Sequence, residues 1–152
     1  MKNFKILFLA LLTGLIFTAC EGENDAIEPA TNYLLGKWEL REIGGINPSN
    51  NVISYEAIVP EGTCGFDTME FLPNNILTYT EYTSEVATSC DTFIDSGSYS
   101  MDVLDLNLSF TLEGDLTPTV INATIDSLTL STLILTYSDE DGEVYFLKFS
   151  KI

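Results

Sequence analysis

The chain has 152 residues, of which 23 are acidic, six are basic and none is histidine. A net charge of −17 repels nucleic acid and anionic lipid head groups, so a role on either polyanion is excluded. The lack of histidine removes the commonest general base and the commonest metal ligand.

In chain order, residues 1–20 read MKNFKILFLALLTGLIFTAC: Lys2 and Lys5, an apolar run over 6–19, then small residues directly before a cysteine. This is the three-part layout of an export signal, and the run is shorter than the roughly 20 residues a membrane helix needs. Phe17-Thr18-Ala19-Cys20 resembles the bacterial lipobox. The resemblance implies a diacylglyceryl group on the Cys20 sulfur and cleavage just before it; an ordinary signal with an incidental cysteine is the alternative. Residues 1–19 are therefore read as a lipoprotein signal peptide, 20–30 as the lipidated cysteine with an acidic tether, and 31–152 as the folded domain. Glu21, Glu23 and Asp25 resemble the acidic stretches that send some lipoproteins to the outer face of the outer membrane, and a solvated linker also explains them. The expected location is the bacterial cell envelope, anchored to the outer membrane and facing the periplasm or the cell surface.

Beyond the signal only Lys37, Arg41, Lys148 and Lys151 remain as bases against all 23 acids, which favours solubility beside a membrane. The remaining length suffices for one domain with a sizeable core. With Cys20 acylated, Cys64 and Cys90 are left as a pair in an oxidising compartment, so a Cys64–Cys90 disulfide is expected, with two free thiols as the alternative.

Within the domain, alternation of period two dominates and no stretch shows a helical repeat. Trp38 and Leu40 face one way from the first strand, and Lys37, Glu39 and Arg41 the other. Gly44-Gly45 and residues 47–51 read as a loop, and 53–58 as a short strand or a turn of helix. Residues 67–71 and 76–82 form a hairpin across Pro73-Asn74-Asn75. Further strands are expected at 97–101, 106–111, 119–125, 128–130 and 133–137, and a closing strand at 143–151 has apolar residues on both faces. Seven to nine short strands argue for an all-β antiparallel barrel or sandwich, and closure removes exposed edges.

Leu35-Gly36-Lys37-Trp38 resembles the Gly-x-Trp opening of lipocalins. With Cys64 through Phe71-Leu72-Pro73-Asn74, Gly97-Ser98-Tyr99, the paired leucines at 128–135 and the aromatic strand 145–149, the chain is similar to the small lipocalin-like lipoproteins of bacterial envelopes. The resemblance implies an up-and-down eight-stranded β-barrel with Trp38 plugging one end. Lipocalins lay an arginine from near the last strand over that tryptophan; Lys148 is the candidate for that cation here, so Gly36, Trp38 and Lys148 form the expected plug.

Eight strands enclose a space that side chains can fill or that holds one small ligand. Tyr79, Tyr99, Met101, Phe110, Leu130 and Phe146 are the candidate ligand-contacting side chains, with the core filled and a shallow pocket at one mouth. No serine, threonine or cysteine stands in a recognisable nucleophile context, so no enzyme activity, cofactor or metal is expected. Residues 139–143 read as a solvated acidic turn; calcium ligation is the alternative, although the full loop spacing is missing. The expected function is non-enzymatic binding of a small apolar ligand. The alternative is a filled barrel that docks an envelope protein or a glycan.

Overall fold

The computed structural model describes residues 30–60, 62–84, 89–111 and 117–152. The signal, Cys20 and nearly all of the tether lie outside the described residues. Among the described residues a five-residue helix α1 (Ala30–Leu34) precedes nine strands: β1 (Gly36–Asn47), β2 (Val52–Ala57), β3 (Thr68–Leu72), β4 (Ile76–Thr83), β5 (Asp91–Asp102), β6 (Asp105–Phe110), β7 (Thr119–Leu128), β8 (Thr132–Ser138) and β9 (Val144–Lys151). Every pairing is antiparallel, and β1 closes the sheet on β9, which makes a closed eight-stranded barrel of β1 and β3 to β9.

β1 is long enough to serve three partners. One edge pairs with β9; the other pairs with β3 over Gly36 to Glu39, then with β2 over Glu42 to Asn47. A bulge between Leu40 and Glu42 marks the changeover. There the backbone groups that neither neighbour pairs are taken by the intervening chain: Leu40 N–H donates to Asp67 O at 2.9 Å, and Ile58 N–H donates to Arg41 O at 2.8 Å. The segment at 53–58 is thus a strand over most of its length, and β2, every residue of which is exposed, forms a hairpin with β1.

Alternation sorts the side chains. Trp38, Leu40, Met69, Phe71, Leu77, Tyr99, Leu106, Leu108, Phe110, Ala123, Ile125, Leu133, Leu135 and Phe149 form one buried cluster inside the barrel. Threonines and serines between them face outward, as a sheet with one wet face requires. Gly97 sits where β5 crosses closest to β6: a Cβ there would lie 2.0 Å from the Ser109 carbonyl oxygen, so only glycine fits. β7 runs unbroken to Leu128, with a bulge between Ile125 and Ser127 that preserves its inward face.

Cys64 and Cys90 are disulfide-bonded, with Cα atoms 5.3 Å apart and 26 residues of separation. The bond ties the chain ahead of β3 to the start of β5. In the chain-entropy model a loop of that length contributes about 3.5 kcal/mol.

Candidate functional site

The two ends of the barrel are built differently. At one end Trp38 is 0 % exposed, and its indole N–H donates to Leu34 O at 2.8 Å, so α1 is stitched across the opening by the side chain it covers. The Lys151 ammonium lies 4.8 Å from the centre of the Trp38 ring and donates to Tyr33 O at 2.9 Å. Gly36 permits this: its φ of 120° suits glycine, and a Cβ there would lie 2.8 Å from Lys151 Cε. The cation over the tryptophan is therefore Lys151 and not Lys148. Alternation along β9 puts Lys151 on the inner face with Phe149 and Leu147, and Lys148 on the outer face. There Lys148 pairs with Glu42 at 2.8 Å and lies 5.6 Å from the Tyr55 ring.

The other end is an open mouth. The β1–β2 hairpin rises beside it, and a cleft of about 740 Å³ lies against Ile43, Gly45, Ser54, Glu56, Ile58 and Tyr145. A second cleft of about 480 Å³ shares Tyr145 and continues along Val144 and Gly142. Tyr145 stacks on Tyr137 with ring centres 5.4 Å apart, and its hydroxyl donates to Glu143 at 2.8 Å. That hydrogen bond and the charge of Glu143 hold the Tyr145 phenol protonated, with its pKa pushed up to about 12. Burial, and then Asp139, raise that of Tyr137.

On the opposite wall, Tyr79 of β4 stacks on Phe110 of β6 with ring centres 6.0 Å apart. Its hydroxyl reaches Asp67 at 3.4 Å, while the other Asp67 oxygen accepts from Tyr82 N–H at 2.9 Å. Burial raises the Tyr79 pKa, followed by the negative field of Asp67, Glu81 and Asp95. Asp95 is cross-strand from Tyr79 and shares the inner face of β5 with Gly97 and Tyr99, yet it is only 5 % exposed. Among the described residues no cluster of acids converges closely enough to hold a metal ion. In the turn at 139–143, one oxygen of Asp139 accepts from the backbone N–H groups of Asp141 (3.0 Å) and Glu143 (2.8 Å), which orders the hairpin.

The six expected contact residues divide. Tyr79 and Phe110 stand together towards the mouth. Tyr99 belongs to the filled half: its hydroxyl donates to Leu72 O at 3.1 Å, its ring meets Phe71 edge-on at 5.1 Å, and burial raises its pKa. Met101 packs against the same core beside Leu106. Phe146 points outward, buried under Tyr55, with ring centres 6.5 Å apart. Leu130 is 74 % exposed in the β7–β8 turn, where Thr129 Oγ1 accepts from the N–H groups of Ser131 and Thr132 and stops the strand. Sequence reasoning missed Ile43, Asp95, Tyr137 and Tyr145. Continuing the alternation of β5 and β9 by one or two steps places Asp95 and Tyr145 on the inner face.

No family model matches the sequence, and no curated protein is significantly similar to it. Among solved structures the chain is similar to a lipocalin-like protein from Bacteroides uniformis, with a TM-score of 0.51 and 17 % identity over 79 % of this chain and 99 % of that one. Weaker likenesses are to a redesigned β-barrel (TM-score 0.42, 13 % identity, 81 % of this chain and 95 % of that one) and to a variant of bovine odorant binding protein (TM-score 0.42, 16 % identity, 79 % and 74 %). At such identities the likeness is one of fold: the chain is a lipocalin-like β-barrel.

Proposed function

We propose that the protein is a lipid-anchored envelope protein whose barrel binds a small, mostly apolar ligand at its open mouth. The observation that carries this reading is the contrast between a sealed end and a mouth bordered by a cleft of about 740 Å³, where Ile43, Ile46, Ile58 and Tyr145 give apolar wall beside Ser54 and Glu56. Binding without catalysis is the activity such a mouth suits. The chain enters the barrel through α1 at the sealed end. A lipid on Cys20, some ten residues earlier, therefore tethers that end to the bilayer and leaves the mouth towards water.

The anchor and the ligand are tested separately. Cys20→Ser is expected to move the protein from the membrane fraction to the soluble one; a variant that stays membrane-bound with its signal cleaved rules the anchor out. Native mass spectrometry of the exported protein is expected to show a stoichiometric apolar adduct removable by organic extraction.

One feature favours a second reading. Among the described strands, β2 has one edge without a partner, and its Ile53 and Tyr55 make an exposed apolar patch with Ile46. Such an edge accepts an added strand from a protein partner. A clean mass with no adduct, together with a partner cross-linked at β2, supports docking instead.

A further inference from the structure

β2 ends the order of the sheet with a free edge, and all six of its residues are exposed. Ile58 N–H donates to Arg41 O at 2.8 Å, and these two residues continue the β1–β2 register. Alternation along an antiparallel ladder then turns the backbone groups of Ser54 and Glu56 towards β1, and those of Ile53, Tyr55 and Ala57 towards the free edge. Among the described residues no strand takes these groups up. Such an edge is a template for one further strand.

The side chains beside that edge specify what the strand carries. On one face Ile53 and Tyr55 are exposed, with the Tyr55 ring edge-on to Phe146. On the other face Ser54 and Glu56 border the cleft of the mouth. Glu56 takes part in neither ion pair of the described residues. Arg41 of β1 is committed to Glu39 and the Phe66 ring, and Lys148 of β9 to Glu42. Just past β2, a cleft of about 230 Å³ at Ile58 adds Asp67 and Glu81. Cross-strand neighbours of opposite charge stabilise a sheet and like charges oppose it, while β-branched and aromatic side chains favour one another. A second copy of the chain is disfavoured as the occupant, because two chains of net charge −17 repel.

We propose, resting on the docking reading of β2, that its free edge takes an extended segment of a partner protein in which basic and β-branched residues alternate. The partner's backbone pairs with Ile53, Tyr55 and Ala57. Its β-branched side chains lie beside Ile53 and Tyr55, and its lysines or arginines beside Glu56. The period of two that builds the barrel thus also sets the pattern of the partner. The acidic exterior draws such a segment in from solution.

The test uses the exported chain with its disulfide intact and capped peptides of the length of β2. One alternates valine with lysine, one alternates valine with glutamate, and a third is the lysine peptide N-methylated at every second residue. Binding is measured by calorimetry at a salt concentration that screens the long-range field. The lysine peptide is expected to bind at least about tenfold tighter than the glutamate one. N-methylation keeps every charge and is expected to abolish binding. On binding, the amides of Ile53, Tyr55 and Ala57 are expected to slow in hydrogen exchange. Glu56→Lys is expected to weaken the lysine peptide about fivefold. Ile53→Pro removes an edge N–H that β1 does not use, and is expected to abolish binding with the fold retained. N-methylation decides the same point on the unaltered chain. Lysine-peptide binding that survives N-methylation is adsorption to the acidic surface and overturns the edge site. Equal affinity for the lysine and glutamate peptides, lost on N-methylation, overturns the basic partner and leaves β2 as a docking edge. A chain that is dimeric by light scattering and made monomeric by Ile53→Pro overturns the partner in favour of a second copy. A monomer that binds neither peptide overturns the docking reading itself.

Discussion

The sealed end and the open mouth come from the same strands, yet they meet opposite requirements. At the sealed end three polar groups are matched to partners: the Trp38 indole to Leu34 O, the Lys151 ammonium to the Trp38 ring and to Tyr33 O, and the backbone N–H of Ile152 to Lys37 O. At the mouth the Tyr79 and Tyr145 phenols are bonded to acids, and aliphatic side chains border open clefts. One end is closed by polar groups matched to one another, and the other carries its polar contacts beside open clefts. The difference teaches how one barrel can close one end with hydrogen bonds and leave space at the other.

The sharpest way to break that contrast is to unplug the sealed end. Trp38→Ala removes a fully buried indole and the hydrogen bond that holds α1, and is expected to cost about 4 kcal/mol. Ile43→Ser, at a 40 % exposed position of the mouth, is expected to cost under about 1 kcal/mol and to weaken ligand binding. Urea titration of both variants decides it: similar losses would mean that the two ends share the stability of the fold.

The two lysines of β9 carry the same contrast at smaller scale. Lys151→Met loses a cation over the Trp38 ring and a hydrogen bond to Tyr33 O, and is expected to cost about 1–2 kcal/mol, or some 4–8 °C in Tm. Lys148→Met loses a partly exposed pair with Glu42 and a more distant approach to the Tyr55 ring, about 0–1 kcal/mol. If Lys148→Met proved the costlier change, the assignment of the plug to Lys151 would be wrong.

Those lysines also show what a sequence exposes and what it conceals. The barrel was legible because hairpin turns and alternation recur along the chain, and Gly36 and Trp38 mark where it opens. The cysteine pair followed from counting. The parity of β9 was concealed: Phe146 is as apolar as Phe149, because β2 lays Tyr55 over the outer face. An apolar residue then no longer means an inward one, and Lys148 and Lys151 exchange places. Asp95 was concealed by its own chemistry. An acid among Thr92, Ser96 and Ser98 reads as loop, although β5 already begins at Asp91. At five residues, α1 is too short to show a period, and its place depends on the indole it bonds.

The smallest expected effect tests whether a polar contact at the mouth contributes to the fold. The Tyr145 phenol has its pKa pushed up to about 12 by its hydrogen bond to Glu143, against an ordinary value near 10. The folded protein thus keeps a proton that the unfolded chain releases as pH passes 10. The contribution is fully present below pH 10 and lost as pH rises to about 12. Tyr145→Phe keeps the ring against Tyr137 and removes the hydroxyl, so it is expected to lower Tm slightly at pH 7 and to make the fall in Tm between pH 10 and 12 shallower. In an absorbance titration of tyrosinate, the variant is expected to lack one late-ionising phenol. A variant with an unchanged Tm at pH 7 and an equally steep fall above pH 10 would mean that this hydrogen bond secures nothing, because a contact that stabilises the folded chain is missed while its phenol still holds the proton.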